Sequence, residues 1–244
     1  MNVTPSLVQQ FAPTGVLRAS LNMGNPVLAH SRTSREKPAG VSIDLARELA
    51  RELGVQPSFL QFDTAARSVE SLASSEADIG FMAIDPLRAH SIQFTAAYVQ
   101  IEGTYLVPKD SPITSNEQVD QPGTTIVVGA GSAYALYLAR AIKNATLLQV
   151  PTSEAVVAAM LEGGQPVAAG VRQQLESDAK RIGGVRVLDG CFMVIHQAMA
   201  MPRDRSAEAQ AYLADFVERM KRSGFVAAAL QRHGIDGARV AKPG

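Results

Sequence analysis

Apolar and polar residues follow two different periods along the chain, which predict strands and helices in alternating order. The runs VLRASL, PSFLQF, DIGFMAI and PVAAGV have the apolar or alternating character of strands. The run VSIDLARELARELG predicts an amphipathic helix with Ser42 as its N-cap and Gly54 at its end. One face of that helix is apolar and contains Ile43, Ala46, Leu49, Ala50 and Leu53. Strands that alternate with helices predict an α/β architecture with a mainly parallel sheet.

Two extended passages divide this pattern into two α/β blocks. They lie near residues 99–108 and 191–201, within the runs IQFTAAYVQIEGTYLVP and FMVIHQAMAMP. A chain that enters a second lobe and then returns to the first forms a two-strand hinge beside a ligand cleft. We therefore predict one lobe from residues 1–103 plus 199–244 and a second lobe from residues 104–198.

The stretch IVVGAGSAYALYL predicts an anion site. Ile126–Val128 read as the end of a strand, the glycines that follow allow a sharp turn, and Ser132 has the position of a helix N-cap. The N–H groups and the positive dipole end of such a helix attract anions. A dinucleotide pyrophosphate is disfavoured, because Tyr134 takes the third place of the G-x-G-x-x-G pattern and TLLQVP ends without an acidic residue. A smaller anion fits this pattern better.

Composition and charge narrow the function further. The 244 residues include 23 Lys plus Arg and 23 Asp plus Glu, with few aromatic residues and no basic block, which disfavours nucleic acid as a partner. Cys191 is the single cysteine, and the four histidines lie at spacings unsuited to a metal. No catalytic motif such as G-x-S-x-G occurs. We expect no metal, no cofactor and no catalytic residues.

The order of several stretches resembles the family 3 extracellular solute-binding proteins. These stretches are GVSIDLARELARELGV, ADIGFMAIDPLRAHSIQFTAAY, GTTIVVGAGSAYALYL, AMLEGGQPVAAG and MKRSGFVAAALQRHG, and the resemblance extends from about residue 15 to residue 235. It implies a two-lobe, type II periplasmic-binding-protein-like fold that closes over one small solute in the interlobe cleft. It also implies a monomer in the periplasm that delivers its ligand to the membrane permease of an ABC importer.

The resemblance assigns two groups that bind a ligand carboxylate. The family's arginine follows the last core strand of the first lobe in a T-x-x-R pattern, which Arg88 matches in DPLR, with Asp85 in place of the threonine. Ala83, at the end of that strand, is a further candidate contact. The second group is the helix N-terminus at Ser132 and Ala133. A guanidinium meets a carboxylate bidentately, although Arg88 could equally be a surface residue that pairs with Asp85.

One departure from the family changes the expected ligand. Amino-acid binders of the family have an Asp after the strand of the second lobe, where it neutralises the ligand ammonium, but Arg172 takes that position here. Two guanidinium groups without a carboxylate would repel an ammonium, so we expect an organic acid or dicarboxylate instead of a typical α-amino acid. The alternative is that Arg172 turns outward to Glu176, four residues along the helix.

A second departure leaves the contacts to the rest of the ligand open. NMGNPVLAH replaces the family's early aromatic segment, so Asn22 and Asn25 either hydrogen-bond the ligand or serve as turn residues. Tyr105 and Tyr134 are expected to cover the ligand in place of the absent aromatic residue. Gln173, next to Arg172, is a further candidate contact.

Two other functions remain possible for this sequence. The fold also occurs in lyases related to cyclohexadienyl dehydratase, for which Glu102 and Asp85 are the available acids. A cytoplasmic sensor is the other alternative, although no helix-turn-helix region is evident. The opening MNVTPSLVQQFAPTG has neither the basic nor the apolar region of a signal peptide, so either the protein is cytoplasmic or an export sequence precedes this one.

Overall fold

A computed structural model describes residues 2–31 and 38–244 of the chain. The chain divides into two compact units, which we call the first unit (Met1–Gln100 with His196–Gly244) and the second unit (Ile101–Ile195). The chain passes between them within two strands, Ile92–Pro108 and Met193–Pro202. The lobe boundaries predicted from the sequence also fall inside these two strands.

Strands and helices alternate over most of the described residues. In chain order the strands are β1 (Val16–Asn22), β2 (His30–Ser31), β3 (Pro38–Ala39), β4 (Gln56–Phe62), β5 (Ile79–Ala83), β6 (Ile92–Pro108), β7 (Thr125–Gly129), β8 (Thr146–Val150), β9 (Val167–Val171), β10 (Val185–Val187), β11 (Met193–Pro202) and β12 (Arg239–Val240). The α-helices are α1 (Pro5–Phe11), α2 (Val41–Leu53), α3 (Ala65–Ala73), α4 (Ala133–Ala141), α5 (Val156–Glu162), α6 (Arg172–Ile182), α7 (Ala207–Arg222) and α8 (Phe225–Arg232). None of these helices has both the length and the apolar character that a membrane crossing requires.

The first unit is built on a sheet with the strand order β4-β1-β5-β11. β1 runs parallel to both β4 and β5, whereas β11 is antiparallel to β5, with Gln197 opposite Ala83. The carboxyl ends of the three parallel strands therefore meet at one edge, after Asn22, Phe62 and Ala83. This edge is where ligands bind in open α/β sheets.

Helix α2 shows how the sequence forms the first unit, and it corrects one prediction. Its apolar face is buried, and it ends at Gly54 in the left-handed conformation, as predicted. The predicted N-cap is wrong: Gly40 is the N-cap, and Ser42 lies in the first turn with its side chain buried. Gly40 has a φ of +132°, and a Cβ there would lie 2.3 Å from the carbonyl oxygen of Leu28. Only glycine is accommodated at this helix start.

Helix α1 was not predicted from the sequence. Thr4 is its N-cap, because the Thr4 side chain accepts a hydrogen bond from the N–H of Leu7, and Pro5 is its first residue. Leu7 and Phe11 are buried, and the Phe11 ring lies edge-on to Tyr212 of α7 at 5.8 Å between centroids. The helix thus depends on packing against a segment about 200 residues away, which local periodicity does not reveal.

The second unit has the strand order β6-β9-β7-β8, with β10 on the other side of β6. β7 is parallel to β8 and β9, whereas β6 is antiparallel to β9. Alternate residues of β7 face opposite sides: Ile126 and Val128 pack in one hydrophobic cluster and Val127 in another. The carboxyl ends of β7, β8 and β9 meet at one edge, and helices α4 and α6 begin there.

Candidate functional site

Two candidate residues of the first unit, Asp85 and Arg88, lie in the turn that follows β5. Arg88 begins a single 3₁₀ turn, Arg88–His90, and only 6% of its surface is exposed. Its Nη1 donates a hydrogen bond to the carbonyl oxygen of Ala83 at 3.1 Å. Burial lowers the pKa of Arg88 to about 10, and the negative charge of Asp85 partly offsets that decrease. The alternative of a surface arginine is therefore wrong, because this guanidinium has lost most of its contact with water.

Asp85 stands where the family pattern has threonine, and it fixes the start of this turn. Its carboxylate is buried, and Oδ1 accepts a hydrogen bond from the N–H of Leu87 at 2.9 Å. This local bond from side chain to backbone is one that Asp and Thr both form. The substitution keeps the turn but adds a negative charge close to Arg88.

Asn22 and Asn25 lie in the turn after β1, at the same edge of the sheet. Oδ1 of Asn22 accepts a hydrogen bond from the N–H of Gly24 at 3.1 Å, and the N–H of Asn25 donates to the Asn22 carbonyl at 3.3 Å. Asn22 thus acts as a turn residue. Oδ1 of Asn25 is buried and has no hydrogen-bond partner among residues 2–31 and 38–244. A role for either amide in ligand binding stays a prediction.

In the second unit, the turn after β7 leads into the N-terminus of α4. Ser132 is the N-cap, as predicted, and its Oγ accepts a hydrogen bond from the N–H of Ala135 at 3.1 Å. Gly131 adopts a φ of +67°, which favours glycine. Ala133 and Tyr134 are the first residues of the helix, and helix geometry gives their N–H groups no partner within it. The turn therefore has the geometry of the predicted anion site.

Tyr134 lies beneath this turn. Its side chain is 2% exposed and belongs to the hydrophobic core, and burial raises its pKa. The hydroxyl donates to Oγ of Ser153 at 2.8 Å and accepts from the N–H of Gly129 at 3.3 Å. A Cβ at Gly129 would lie 2.8 Å from that hydroxyl, so the glycine allows the close approach. Tyr134 thus connects the start of α4 with the start of a 3₁₀ turn at Ser153–Ala155.

Tyr105 is also part of the core of the second unit. It is buried and packs against Phe192 with 4.5 Å between ring centroids, and Phe192 in turn stacks on Tyr137 at 6.0 Å. Tyr105 and Tyr134 thus belong to the same hydrophobic core cluster, and the expectation that they cover the ligand stays a prediction. Phe192 was not singled out in the sequence, because nothing local indicates its contact with Tyr105.

Arg172 is the first residue of α6, and its guanidinium is held by three groups of the second unit. Nε donates to Oε2 of Glu102 at 2.7 Å, and Nη2 donates to the carbonyl oxygen of Gly190. Nη1 lies 3.7 Å from Oε1 of Glu176. We expected no carboxylate beside Arg172, and that expectation is wrong, because Glu102 is bonded to it. The predicted alternative, a contact with Glu176, exists, but at 3.7 Å it is the longer of the two acidic contacts.

The contact between Glu102 and Arg172 follows from the pairing of β6 with β9. Gly103 lies opposite Val171 in that antiparallel pair, so the next residues outward are Glu102 and Arg172. Both strands were predicted, but their pairing was not. Gln173 is the second residue of α6 and is half-buried, and its role in binding stays a prediction.

The described residues contain no group of three or more His, Cys, Asp or Glu side chains arranged to hold a metal. Asp85 and Glu102, the acids considered for a lyase, each lie beside an arginine: Asp85 acts electrostatically on Arg88, and Glu102 is bonded to Arg172. Both acids considered for a lyase therefore have a cation as a neighbour.

A family model described as "Bacterial extracellular solute-binding proteins, family 3" matches residues 22–235 of this chain. A search of curated protein sequences finds no significant match. The match to the family model spans the turn after β1, Arg88, the start of α4 and Arg172. It confirms the resemblance that the sequence suggested.

Several solved structures share the fold at low sequence identity. A binding component of an ABC transporter from Wolinella succinogenes, complexed with lysine, is 22% identical with a TM-score of 0.77, covering 90% of this chain and 95% of that one. A solute receptor for L-cysteine from Neisseria gonorrhoeae is 21% identical with a TM-score of 0.80, covering 94% of each chain. An ancestral amino-acid-binding protein, a precursor of cyclohexadienyl dehydratase, is 20% identical with a TM-score of 0.77, covering 92% and 97%. The predicted α/β fold of type II periplasmic binding proteins is confirmed.

Proposed function

Because the chain belongs to the family 3 bacterial extracellular solute-binding proteins, we propose that it captures a small carboxylate-bearing solute for an ABC-type importer. The ligand is an organic acid or dicarboxylate, in contrast to the lysine and L-cysteine named for two structural relatives. The protein acts outside the cytoplasmic membrane, in line with the word "extracellular" in the family's description. We propose in addition that it acts as a monomer. Its partner is the permease of that importer, and it releases the ligand unchanged.

The observation that carries this proposal is the burial of Arg88. The guanidinium is fixed by the Ala83 carbonyl, and burial lowers its pKa to about 10. A charged group so poorly solvated gains strongly from an anionic partner. A carboxylate fits the fork of guanidinium donors bidentately, which supports Arg88 as the primary carboxylate ligand.

The N-terminus of α4 supports a second contact to an acidic group. The side chain of Ser132 caps the helix, and the N–H groups of Ala133 and Tyr134 point out of its first turn. We propose Arg88, and separately the start of α4 at Ser132 and Ala133, as contacts to acidic groups of a ligand. Asn22, Asn25 and Gln173 are proposed as contacts to its remaining polar groups.

The surroundings of Arg172 support an organic acid over an α-amino acid. Ammonium recognition needs a carboxylate whose charge is not already neutralised. Glu102 is bonded to Arg172 at 2.7 Å, so its charge is compensated within the second unit. Arg172, a cation, thus occupies the position of the family's ammonium-binding Asp. The carboxylate closest to it, Glu102, is already bound to Arg172.

The test is a binding screen followed by substitution of Arg88. Thermal-shift screening against monocarboxylates, dicarboxylates, aromatic acids and α-amino acids identifies the best ligand, and titration calorimetry measures its affinity. Arg88→Gln should lower that affinity by about 100-fold or more, because a carboxylate would lose a charge-assisted pair of hydrogen bonds. Arg51→Gln is the matched control, since Arg51 is exposed, lies in the same unit and pairs with Glu48 on its own helix.

Two results would contradict the proposal. One is a preference of the protein for α-amino acids over the corresponding organic acids. The other is an Arg88→Gln variant that binds as tightly as the Arg51→Gln control. Chromatography of the recovered ligand after prolonged incubation tests the absence of chemical conversion, and a new product would favour a lyase.

A further inference from the structure

The ion pair between Glu102 and Arg172 lies where the second unit presents its helix starts. β7, β8 and β9 are parallel, so their carboxyl ends share one edge of the sheet. Helix α4 begins at Ala133 after β7, and α6 begins at Arg172 after β9. Strand topology alone therefore brings Arg172 to the edge that carries the candidate carboxylate site.

The ion pair has a well-defined hydrogen-bond geometry, and both of its side chains are partly exposed to solvent. Glu102 accepts from Nε of Arg172 at 2.7 Å, while the Gly190 carbonyl accepts from Nη2 and fixes the other end of the guanidinium. The side chains of Arg172 and Glu102 are 20% and 28% exposed. Pairs with this much exposure contribute little to stability, but a ligand at this edge would be close to both charges.

We propose that Glu102 is a specificity-determining residue that sets the charge of the accepted ligand through its ion pair with Arg172. The inference rests on the proposed function and narrows it. Because the charges of Glu102 and Arg172 cancel, this ion pair offers neither a cation for a second carboxylate nor an anion for an ammonium. The accepted ligand is then an acid with one carboxylate and an otherwise uncharged body.

Substituting each partner makes opposite predictions. Glu102→Gln keeps the shape and one hydrogen-bond acceptor but releases the positive charge of Arg172, so it should favour dicarboxylates. Arg172→Gln releases the negative charge of Glu102, so it should favour α-amino acids. One additional charge at this range changes affinity by about tenfold.

The experiment measures binding of two matched sets of probes by titration calorimetry. One set is butyrate, succinate and L-2-aminobutyrate, and the other is 3-phenylpropanoate, phenylsuccinate and L-phenylalanine. For the wild type we expect the monocarboxylate to bind best in each set. Glu102→Gln should raise the affinity ratio of dicarboxylate to monocarboxylate about tenfold, and Arg172→Gln should raise the ratio of amino acid to monocarboxylate about tenfold.

Two further variants separate the charge effect from a structural effect. The double variant Glu102→Gln/Arg172→Gln removes both charges, and its ratios should return to within about threefold of the wild type. Glu176→Gln removes the other acid near Arg172, which lies 3.7 Å from Nη1 and is more exposed, and it should leave the ratios unchanged. Thermal melts of all variants verify that each one is folded.

The inference is overturned if the affinity ratio of dicarboxylate to monocarboxylate is no higher for Glu102→Gln than for the wild type in either set of probes. It is also overturned if Glu176→Gln shifts the ratios equally, or if no probe binds to any variant. The proposed function fails separately: it requires that the wild type bind a carboxylate through Arg88. Carboxylate binding that depends on Arg88 but is insensitive to Glu102 refutes this inference alone.

Discussion

Replacing the two buried charges after β5 by neutral groups should stabilise the protein while it abolishes ligand binding. The double variant Asp85→Asn/Arg88→Met removes both charges, and Asn keeps the shape of the Asp85 side chain. Asn retains an Oδ1 that accepts the hydrogen bond from the N–H of Leu87, which Asp85 accepts at 2.9 Å. Met fills the volume of the arginine stem without its charge.

The expected gain follows from the pKa of Arg88. Burial lowers that pKa well below its ordinary value, to about 10, which corresponds to about 3 kcal/mol of lost solvation that folding must offset. The variant also loses the hydrogen bond from Arg88 to the Ala83 carbonyl, which contributes about 1 kcal/mol. The free energy of unfolding should therefore increase by about 2 kcal/mol. Buried ion pairs replaced by neutral residues show gains of this order.

Urea unfolding followed by circular dichroism measures this difference, and calorimetry with the best ligand measures binding. Arg67→Met is the control, because Arg67 is largely exposed, pairs with Glu70 on the same helix and lies 5.9 Å from the centroid of the Phe62 ring. Its removal should change stability by less than about 1 kcal/mol. A double variant that is less stable than the wild type would refute the argument from burial. One that retains full affinity would refute the assignment of Arg88.

Three further substitutions test the turn after β7 and the ion pairs of the first unit. Tyr134→Phe removes the hydroxyl that bonds Ser153 and Gly129, so urea unfolding should show a loss of about 1 to 2 kcal/mol; an equal loss in Tyr137→Phe would contradict this explanation. Gly129→Ala puts a Cβ 2.8 Å from the Tyr134 hydroxyl and 2.9 Å from the Ser153 nitrogen, so its melting temperature should fall by several degrees, about 2 kcal/mol in stability; an unchanged melting temperature would rule out this steric conflict. Glu52 accepts two hydrogen bonds from Arg219, which lower its pKa, so the unfolded state binds more protons and the stabilisation is lost as pH falls below about 5. Glu52→Gln should flatten the stability profile between about pH 5 and pH 3, and a profile parallel to that of the wild type would refute this origin of the acid sensitivity.

The features that the sequence predicted well are those determined within a few residues. Ser132 caps α4 through the N–H of Ala135, three residues on, and Gly54 ends α2 in a conformation that glycine adopts readily. The prediction of Ser42 as the N-cap of α2 is wrong, because the helix begins through the backbone freedom of Gly40 and not through a polar side chain. A glycine N-cap has no polar side chain, so the sequence gives no capping residue by which to recognise such a helix start.

The candidate site was predictable in position but not in electrostatics. The DPLR motif located Arg88, but the motif does not reveal whether an arginine is buried, since burial depends on the packing of distant segments. The bond between Arg172 and Glu102 joins residues that are 70 apart in the sequence. It follows only from the register of β6 against β9, which the separate strand patterns do not determine.

The division of the chain has a consequence for its synthesis on the ribosome. The first 100 residues emerge early, yet their β5 has its antiparallel partner only in β11, and α2 packs against α8 near the end of the chain. At about 5 to 20 residues per second, the intervening second unit takes roughly 5 to 20 s to translate. During that delay the β5 edge and the part of α2 that packs against α8 lack these partners, so we expect chaperones to bind there until the end of the chain emerges.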